Sequence, residues 1–181
     1  YRDKSLNWSF HLMEKFFPET KEDNLVITIS SVGTRSGFFS VFITNLIPNK
    51  HFVDSGQCFP LYIYKSGSGE LNLFGYDDKV TRESGITDLA LKIFQEKYKS
   101  QLNKEDIFYY VYGLLHSKDY FKKFENNLQA EMPRIPLVKN FEDFNIFVSS
   151  GKKLASLHLN YQNVEKYPVS FKQGALELIC L

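Results

Sequence analysis

The sequence predicts an α+β fold, with a strand-rich N-terminal half that forms an antiparallel or mixed sheet and a helical C-terminal half of about four helices. Runs rich in β-branched residues lie before residue 70, whereas apolar residues recur at helical spacing between residues 86 and 161. Strands precede helices without alternating with them, which argues against a parallel doubly wound sheet. We therefore expect one domain over residues 1–181, a fragment of a larger chain, with possible lobes at residues 1–70 and 86–161.

The composition is typical of a folded globular protein, with 43% hydrophobic and 24% charged residues. The formal net charge is +1, whereas a dedicated nucleic-acid domain is often far more basic, so charge counts mildly against that class. Cys58 and Cys180 provide neither a metal-binding spacing nor a disulfide framework, which predicts a reduced, cytoplasmic setting. No apolar run approaches the roughly 18 residues that a membrane span requires.

The strands are predicted from runs of β-branched and aromatic residues at positions 25–32, 38–47 and 58–65. Pro60 has no backbone N–H to donate, so it places the third run at a sheet edge or makes its first residues irregular. Residues 70–85 carry few strong signals, and we expect them to form a surface connection. Two glycines bracket the loop between the first two runs, GTRSG.

Four helices are predicted from capping residues and apolar stripes. The first covers residues 86–102. Asn103, Ser117 and Asn140 are the predicted N-caps of the next three, because such side chains accept hydrogen bonds from first-turn amides. The stripes of these three helices contain Ile107, Tyr110, Val111, Leu114 and Leu115; Phe121, Phe124 and Leu128; and Phe141, Phe144, Phe147, Val148, Gly151, Leu154, Ala155 and His158.

A stiff segment is predicted between the third and fourth helices. The third helix must end near Met132, because Pro133 restrains the residue before it and Pro136 acts in the same way two residues beyond Arg134. A stiff backbone lowers the entropy that is lost when Arg134 is placed against a partner. The alternative is a salt bridge from Arg134 back onto the helices.

The other candidate contacts for a polyanion are exposed polar side chains. Arg35 and Ser36 lie in the glycine-bracketed loop, where the arginine fork can reach a phosphate or a guanine edge; the alternative is a solvated loop arginine. The lysines of the last helices are expected to form a basic patch if those helices lie side by side, and otherwise to be separate surface residues. These lysines are Lys122, Lys123, Lys139, Lys152 and Lys153.

No catalytic, cofactor-binding or metal-binding site is predicted. The sequence lacks the phosphate-cradling, dinucleotide, zinc-protease and nucleophile-elbow motifs. His158 lies on an apolar helical stripe, where a satisfied core histidine is the expectation, and His116 ends a helix, where a structural role is expected. Tyr109 and Tyr112 lie off the main stripe of their helix, and we expect them to fill a second core face rather than to stack on bases.

Several long runs resemble the C-terminal region of type ISP restriction-modification enzymes. The resemblance covers residues 1 to about 161, and the runs occur in the same order along the chain. They are GTRSGF (33–38), IPNKHFVDSGQCFPLY (47–62), EDIFYYVYGLLHSKDY (105–120), MPRIPLV (132–138) and GKKLASLHLNY (151–161), after a Tyr-Arg start at Tyr1 and Arg2.

The resemblance implies a DNA target-recognition domain. Enzymes of this family are large single chains with a nuclease, a helicase-like translocase, an adenine-N6 methyltransferase and a C-terminal recognition domain. The chain is thus expected to bind double-stranded DNA in the prokaryotic cytoplasm and to position an adenine for the adjacent methyltransferase domain. S-adenosylmethionine, ATP and magnesium are expected only in the other domains, and no catalysis is expected from this one.

Some questions of assignment remain open at the level of sequence. Because recognition domains of one family read different targets, the shared runs are candidates for scaffold, and the less patterned stretches 63–86 and 118–131 are candidates for reading. The main alternative function is a non-catalytic interaction or structural domain that docks other domains of the same enzyme. A weaker third option is an independent enzyme whose active site is assembled from scattered residues.

Overall fold

The α+β prediction is confirmed by the computed structural model, in which strands precede four helices. The structure describes residues 15–18, 23–30, 39–48, 56–65, 71–72, 75–76, 81–165, 169–171 and 178–180, with the backbone alone at residues 71–72, 75–76, 169–171 and 178–180.

A three-stranded antiparallel sheet, in the order β2–β1–β3, contains the two clearest predicted strands. Its members are β1 (Val26–Ile29), β2 (Val41–Thr44) and β3 (Gln57–Pro60). All four residues of β1 are buried, so both faces of the central strand are covered. Within the described chain β3 pairs with β1 alone, so Pro60 lies at a sheet edge, as predicted.

The run at residues 58–65 forms two strands rather than one. β4 (Tyr62–Lys65) begins after Leu61 and pairs antiparallel with β7 (Thr81–Ser84) in a separate two-stranded sheet. Leu61 is buried, and its amide donates to the carbonyl of Leu25 at 2.8 Å. The chain therefore changes sheets at this residue.

Residues 70–85, predicted as a surface connection, contain strands where they are described. This stretch contains β7 and a short antiparallel pair, β5 (Leu71–Asn72) and β6 (Gly75–Tyr76). The first three side chains of β7 are exposed and polar, so the sequence shows no alternation of apolar and polar residues there. The strand forms through backbone pairing with β4.

A buried asparagine joins the three-stranded sheet to the β4–β7 pair. Asn24 is 2% exposed and lies two residues before β1. Its Nδ2 donates to the carbonyls of Phe16 and Tyr62, both at 2.8 Å. Its Oδ1 accepts from the amides of Leu25 at 2.8 Å and Tyr62 at 3.1 Å. Every hydrogen-bonding position of the side-chain amide is thus used.

Four helices follow, and the predicted caps are confirmed. Asn103, Ser117 and Asn140 each accept a hydrogen bond from a first-turn amide, and Thr87 does the same for the first helix. The helices are α1 (Asp88–Tyr98), α2 (Lys104–Leu115), α3 (Lys118–Ala130) and α4 (Phe141–Leu159). A 3-10 turn (Tyr161–Asn163) and an antiparallel pair, β8 (Val169–Phe171) and β9 (Leu178–Cys180), come after them.

The predicted stripe of α3 is confirmed at Leu128 and differs from the buried face at Phe121. Phe121 is 37% exposed, whereas Tyr120 and Leu128 are buried. Phe124 packs partly buried against the core, and its φ of −116° and ψ of 16° mark a kink in the helix.

Helices α2 and α4 cross at a pair of glycines, Gly113 and Gly151. A Cβ atom on Gly113 would lie 2.4 Å from the carbonyl oxygen of Phe147, and one on Gly151 would lie 2.0 Å from that of Tyr109. Both obstacles are backbone atoms, which cannot rotate away. Glycine lowers helix propensity by about 1 kcal/mol relative to alanine, and here it permits backbone contact between helices.

The hydrophobic core is continuous from the three-stranded sheet into the helices. One cluster of buried residues includes Ile27 and Ile43 of the sheet together with Phe94, Tyr110 and Phe144 of the helices. The rings of Tyr110 and Phe144 stack with their centroids 5.0 Å apart. None of the helices that the structure describes is long and apolar enough to cross a membrane.

Candidate nucleic-acid interface

The segment at residues 132–139, here called the proline segment, is fixed to the helices by three tyrosine hydroxyls. Helices α1, α2 and α3 each supply one of them. Three alternate carbonyls accept these bonds, which is the pattern of an extended chain that turns one edge to the helices. The bonds run from Tyr120 to the carbonyl of Arg134 (2.8 Å), from Tyr110 to that of Pro136 (2.6 Å) and from Tyr98 to that of Val138 (3.1 Å).

These hydroxyls remain protonated donors over the physiological pH range. Burial raises the pKa of Tyr110 to about 12, and it also raises the pKa values of Tyr98 and Tyr120 above their ordinary value. The predicted stiffness of the proline segment therefore has a second cause besides the prolines, which the sequence patterns did not reveal.

Arg134 projects from this fixed backbone into solvent, with 86% of its side chain exposed. Its Nη2 lies 2.8 Å from Oε2 of Glu131, so the predicted alternative, a salt bridge back towards the helices, is present. Hydrogen bonds from Asn127 and Arg134 lower the pKa of the Glu131 carboxyl. Exposed ion pairs contribute little to stability, so this guanidinium is available to an external phosphate.

All five predicted lysines are exposed, and for four of them no ion pair is found within the described chain. Lys122 and Lys123 lie on α3, Lys139 ends the proline segment, and Lys153 lies on α4. The helices do not meet the condition for one patch, because α4 packs along α2 rather than along α3. The role of each lysine in DNA binding stays a prediction.

Lys152 has intramolecular partners. Its Nζ lies 2.9 Å from Oδ1 of Asp106 and 5.6 Å from the ring centroid of Tyr109. Asp106 also accepts from the amide of Asn103 in the capping box of α2. Lys152 thus ties α4 to the first turn of α2, although 49% of its side chain is exposed. The two remaining candidates, Arg35 and Ser36, lie outside the described residues.

An arginine that the sequence patterns did not single out lies on β7. The Arg82 side chain is exposed, and its guanidinium carbon lies 4.2 Å from the ring centroid of Tyr62 on β4. The hydroxyl of Tyr62 donates to the carboxylate of Glu105 in the first turn of α2. Burial, and then the bond to Glu105, raise the pKa of Tyr62 to about 12. The one available signal was that Arg82 falls in the unpatterned stretch 63–86.

The histidines form a satisfied core contact, as predicted for His158. The Tyr112 hydroxyl, on a fully buried side chain, bonds Nδ1 of His158. The ring centroids of His116 and His158 lie 5.6 Å apart. Burial, and then the neighbouring His116, lower the pKa of His158, which favours its neutral form. In the part of the chain that the structure describes, no group of three or more His, Cys, Asp or Glu side chains could hold a metal ion.

An apolar cleft of about 430 Å³ lies between the sheet, α2 and the proline segment. Phe59 of β3 lies on one wall and Phe108 of α2 on another, while Met132 and Ile135 come from the proline segment. The lining is almost wholly apolar, so the cleft offers packing surface rather than groups for acid–base chemistry.

Comparison with known proteins gives one family and several related structures. The profile described as "Type ISP C-terminal specificity domain" matches residues 1–175. The cryo-EM structure of a DrdV–DNA complex is 33% identical over 94% of this chain and 15% of that chain, with a TM-score of 0.75. No curated protein matches the chain at a significant level.

Two further related structures are named as Type ISP enzymes with DNA. The ATP-dependent Type ISP restriction-modification enzyme LlaBIII bound to DNA is 29% identical over 94% of this chain and 12% of that chain (TM-score 0.68). A nuclease-deletion mutant of the Type ISP enzyme LlaGI with a DNA substrate mimic is 26% identical over 93% and 15% (TM-score 0.63). The chain therefore spans less than a sixth of the length of these relatives.

Proposed function

Because the chain belongs to the Type ISP C-terminal specificity domain family, we propose that it binds double-stranded DNA and reads a short target sequence. The observation that carries this proposal is the family match over residues 1–175, together with three related structures that contain DNA. Target recognition requires phosphate contacts for register and a few forked or amide side chains for base edges.

The domain is proposed to act within a longer restriction-modification enzyme. Its task there is to hold duplex DNA so that an adjacent methyltransferase domain reaches its adenine, which must leave the base stack. S-adenosylmethionine, ATP and magnesium would bind to other domains of that enzyme. The domain itself is proposed to be non-catalytic.

The proline segment is the feature of the described residues that best suits DNA contact. Its backbone is held by three hydroxyls, and Arg134 extends from it into solvent. A fixed backbone lowers the entropy cost of placing an arginine at one position on the duplex. Among the described residues the guanidinium of Arg134 pairs with Glu131, in a surface pair that a phosphate can replace.

A second candidate function is docking of a neighbouring protein domain, and the apolar cleft favours it. The cleft would accept an apolar side chain or segment rather than a polyanion. Salt dependence of duplex binding by the full-length protein separates the two functions, because phosphate contacts release counterions and apolar docking does not.

Replacing Arg134 with alanine is expected to weaken duplex binding, by about 1–3 kcal/mol where the guanidinium contacts a base edge and uniformly across sequences where it contacts a phosphate. Fluorescence anisotropy of a labelled duplex measures the change. The matched control is Glu131→Gln, which removes the intramolecular partner and is expected to keep or slightly raise affinity. Unchanged affinity and unchanged sequence preference in Arg134→Ala would remove Arg134 from the interface. Arg35→Ala tests the glycine-loop candidate in the same assay.

A further inference from the structure

The second arginine of the described chain, Arg82, differs from Arg134 in its surroundings. Arg134 pairs with a carboxylate, whereas no ion pair involving Arg82 is found among the described residues. The side chain of Arg82 is exposed on β7. Its guanidinium N–H donors are therefore available to an external acceptor.

The ring beside Arg82 is fixed at both ends. The backbone of Tyr62 is bonded through its amide and its carbonyl to the buried side chain of Asn24. Its hydroxyl is bonded to Glu105. Because the guanidinium carbon lies 4.2 Å from the centroid of this ring, the contact restricts the orientations of the arginine fork before any ligand binds.

The charge around this site favours a neutral base edge over a phosphate. Tyr62 contacts Arg82 through its ring and the carboxylate of Glu105 through its hydroxyl, so both charged side chains adjoin the same tyrosine. An additional phosphate would be repelled by Glu105, whereas a base carries no net charge. A guanidinium fork matches the O6 and N7 acceptors of guanine, and this is the commonest specific contact of arginine in the major groove.

We propose that Arg82 reads a guanine in the target sequence and that Tyr62 is its positioning residue. This inference rests on the proposed function, since it names one specificity-determining contact of the same domain. The proposal adds Arg82, on the β4–β7 strand pair, to the DNA contacts expected from the proline segment.

The test selects bound duplexes from a pool with randomised positions, using the full-length protein, and sequences them. For the wild type we expect a short enriched sequence that contains a guanine. In Arg82→Ala, the preference for that guanine is expected to fall roughly tenfold to a hundredfold, with the other positions still enriched, and in Arg82→Lys it is expected to fall less. Lysine keeps the charge but lacks the fork, so it is the matched control for charge.

Tyr62 is tested by the same readout. Tyr62→Phe keeps the ring beside Arg82 and is expected to keep the guanine preference. Tyr62→Leu removes the ring and is expected to weaken the preference at that position only. Loss at every position in Tyr62→Leu would indicate a general structural role and would overturn the positioning assignment.

Three results would contradict the assignment of Arg82. A uniform loss of affinity in Arg82→Ala, with a salt slope smaller by about one, would indicate a phosphate contact. Wild-type enrichment that Arg82→Ala leaves intact would overturn this inference alone. A wild-type protein that enriches no sequence would overturn the proposed function and this inference with it.

Discussion

Replacing Gly151 with valine is expected to destabilise the protein by about 3 kcal/mol or more, at or above the upper end of overpacking in a core. The added Cβ would lie 2.0 Å from the carbonyl oxygen of Tyr109, so α2 and α4 must separate at their crossing. Separation also disturbs the ion pair of Lys152 with Asp106 and the packing of Phe144 beside Tyr110. The urea midpoint of unfolding, taken with an unchanged slope, measures the loss.

The matched control for this change is Ser150→Val, one residue earlier on the same helix. Ser150 is exposed, so the control places the same β-branched side chain in the helix without the backbone collision. We expect it to stay within about 0.5 kcal/mol of the wild type. Equal midpoints for Gly151→Val and Ser150→Val would show that the helices do not touch at this glycine.

Replacing Asn24 with leucine is expected to cost roughly 3 kcal/mol or more, because leucine supplies no hydrogen bond to four backbone groups. Each buried group left unpaired costs roughly 1–3 kcal/mol, and water entry offsets part of the sum. The groups are the carbonyls of Phe16 and Tyr62 and the amides of Leu25 and Tyr62. The loss should appear in thermal and urea unfolding alike.

The control for Asn24 is Asn126→Leu on α3, where the asparagine is exposed and its change is expected to alter stability by less than about 0.5 kcal/mol. Asn24→Asp should also be strongly destabilised, since a buried carboxylate can accept from the two amides but faces two carbonyl oxygens without a donor. If Asn24→Leu melts at the same temperature as the wild type, Asn24 does not stabilise the protein by linking the two sheets.

Local signals in the sequence predicted most of the helical half. Asn103, Ser117 and Asn140 cap helices because a cap is a bond between residues three apart, which sequence spacing reveals directly. The same holds for the end of α3, which precedes the Met132-Pro133 pair. Gly151 was correctly placed on the buried stripe of α4, but the stripe alone does not show that the backbone of α2 packs against this glycine.

Long-range contacts account for what the patterns missed. Tyr110 was predicted on an apolar face, yet its hydroxyl bonds a carbonyl 26 residues away. β7 was missed because its pairing with β4 is set by backbone hydrogen bonds, and its exposed residues show no alternation of apolar and polar side chains. Arg82 was missed for the same reason, since only the pairing of β4 with β7 brings it to Tyr62. A single sequence does not show that Tyr110 bonds the carbonyl of Pro136 or that β4 pairs with β7.

The salt dependence of duplex binding by the full-length protein tests the central claim most directly. Affinity for a labelled duplex is measured between about 50 and 200 mM salt, and the logarithm of the binding constant is plotted against that of the salt concentration. Target recognition predicts a straight line whose slope is about −0.9 for each phosphate contact, so six contacts lower affinity by roughly a thousandfold over this range. A flat line, or no duplex binding at low salt, would contradict the assignment of this domain to DNA recognition.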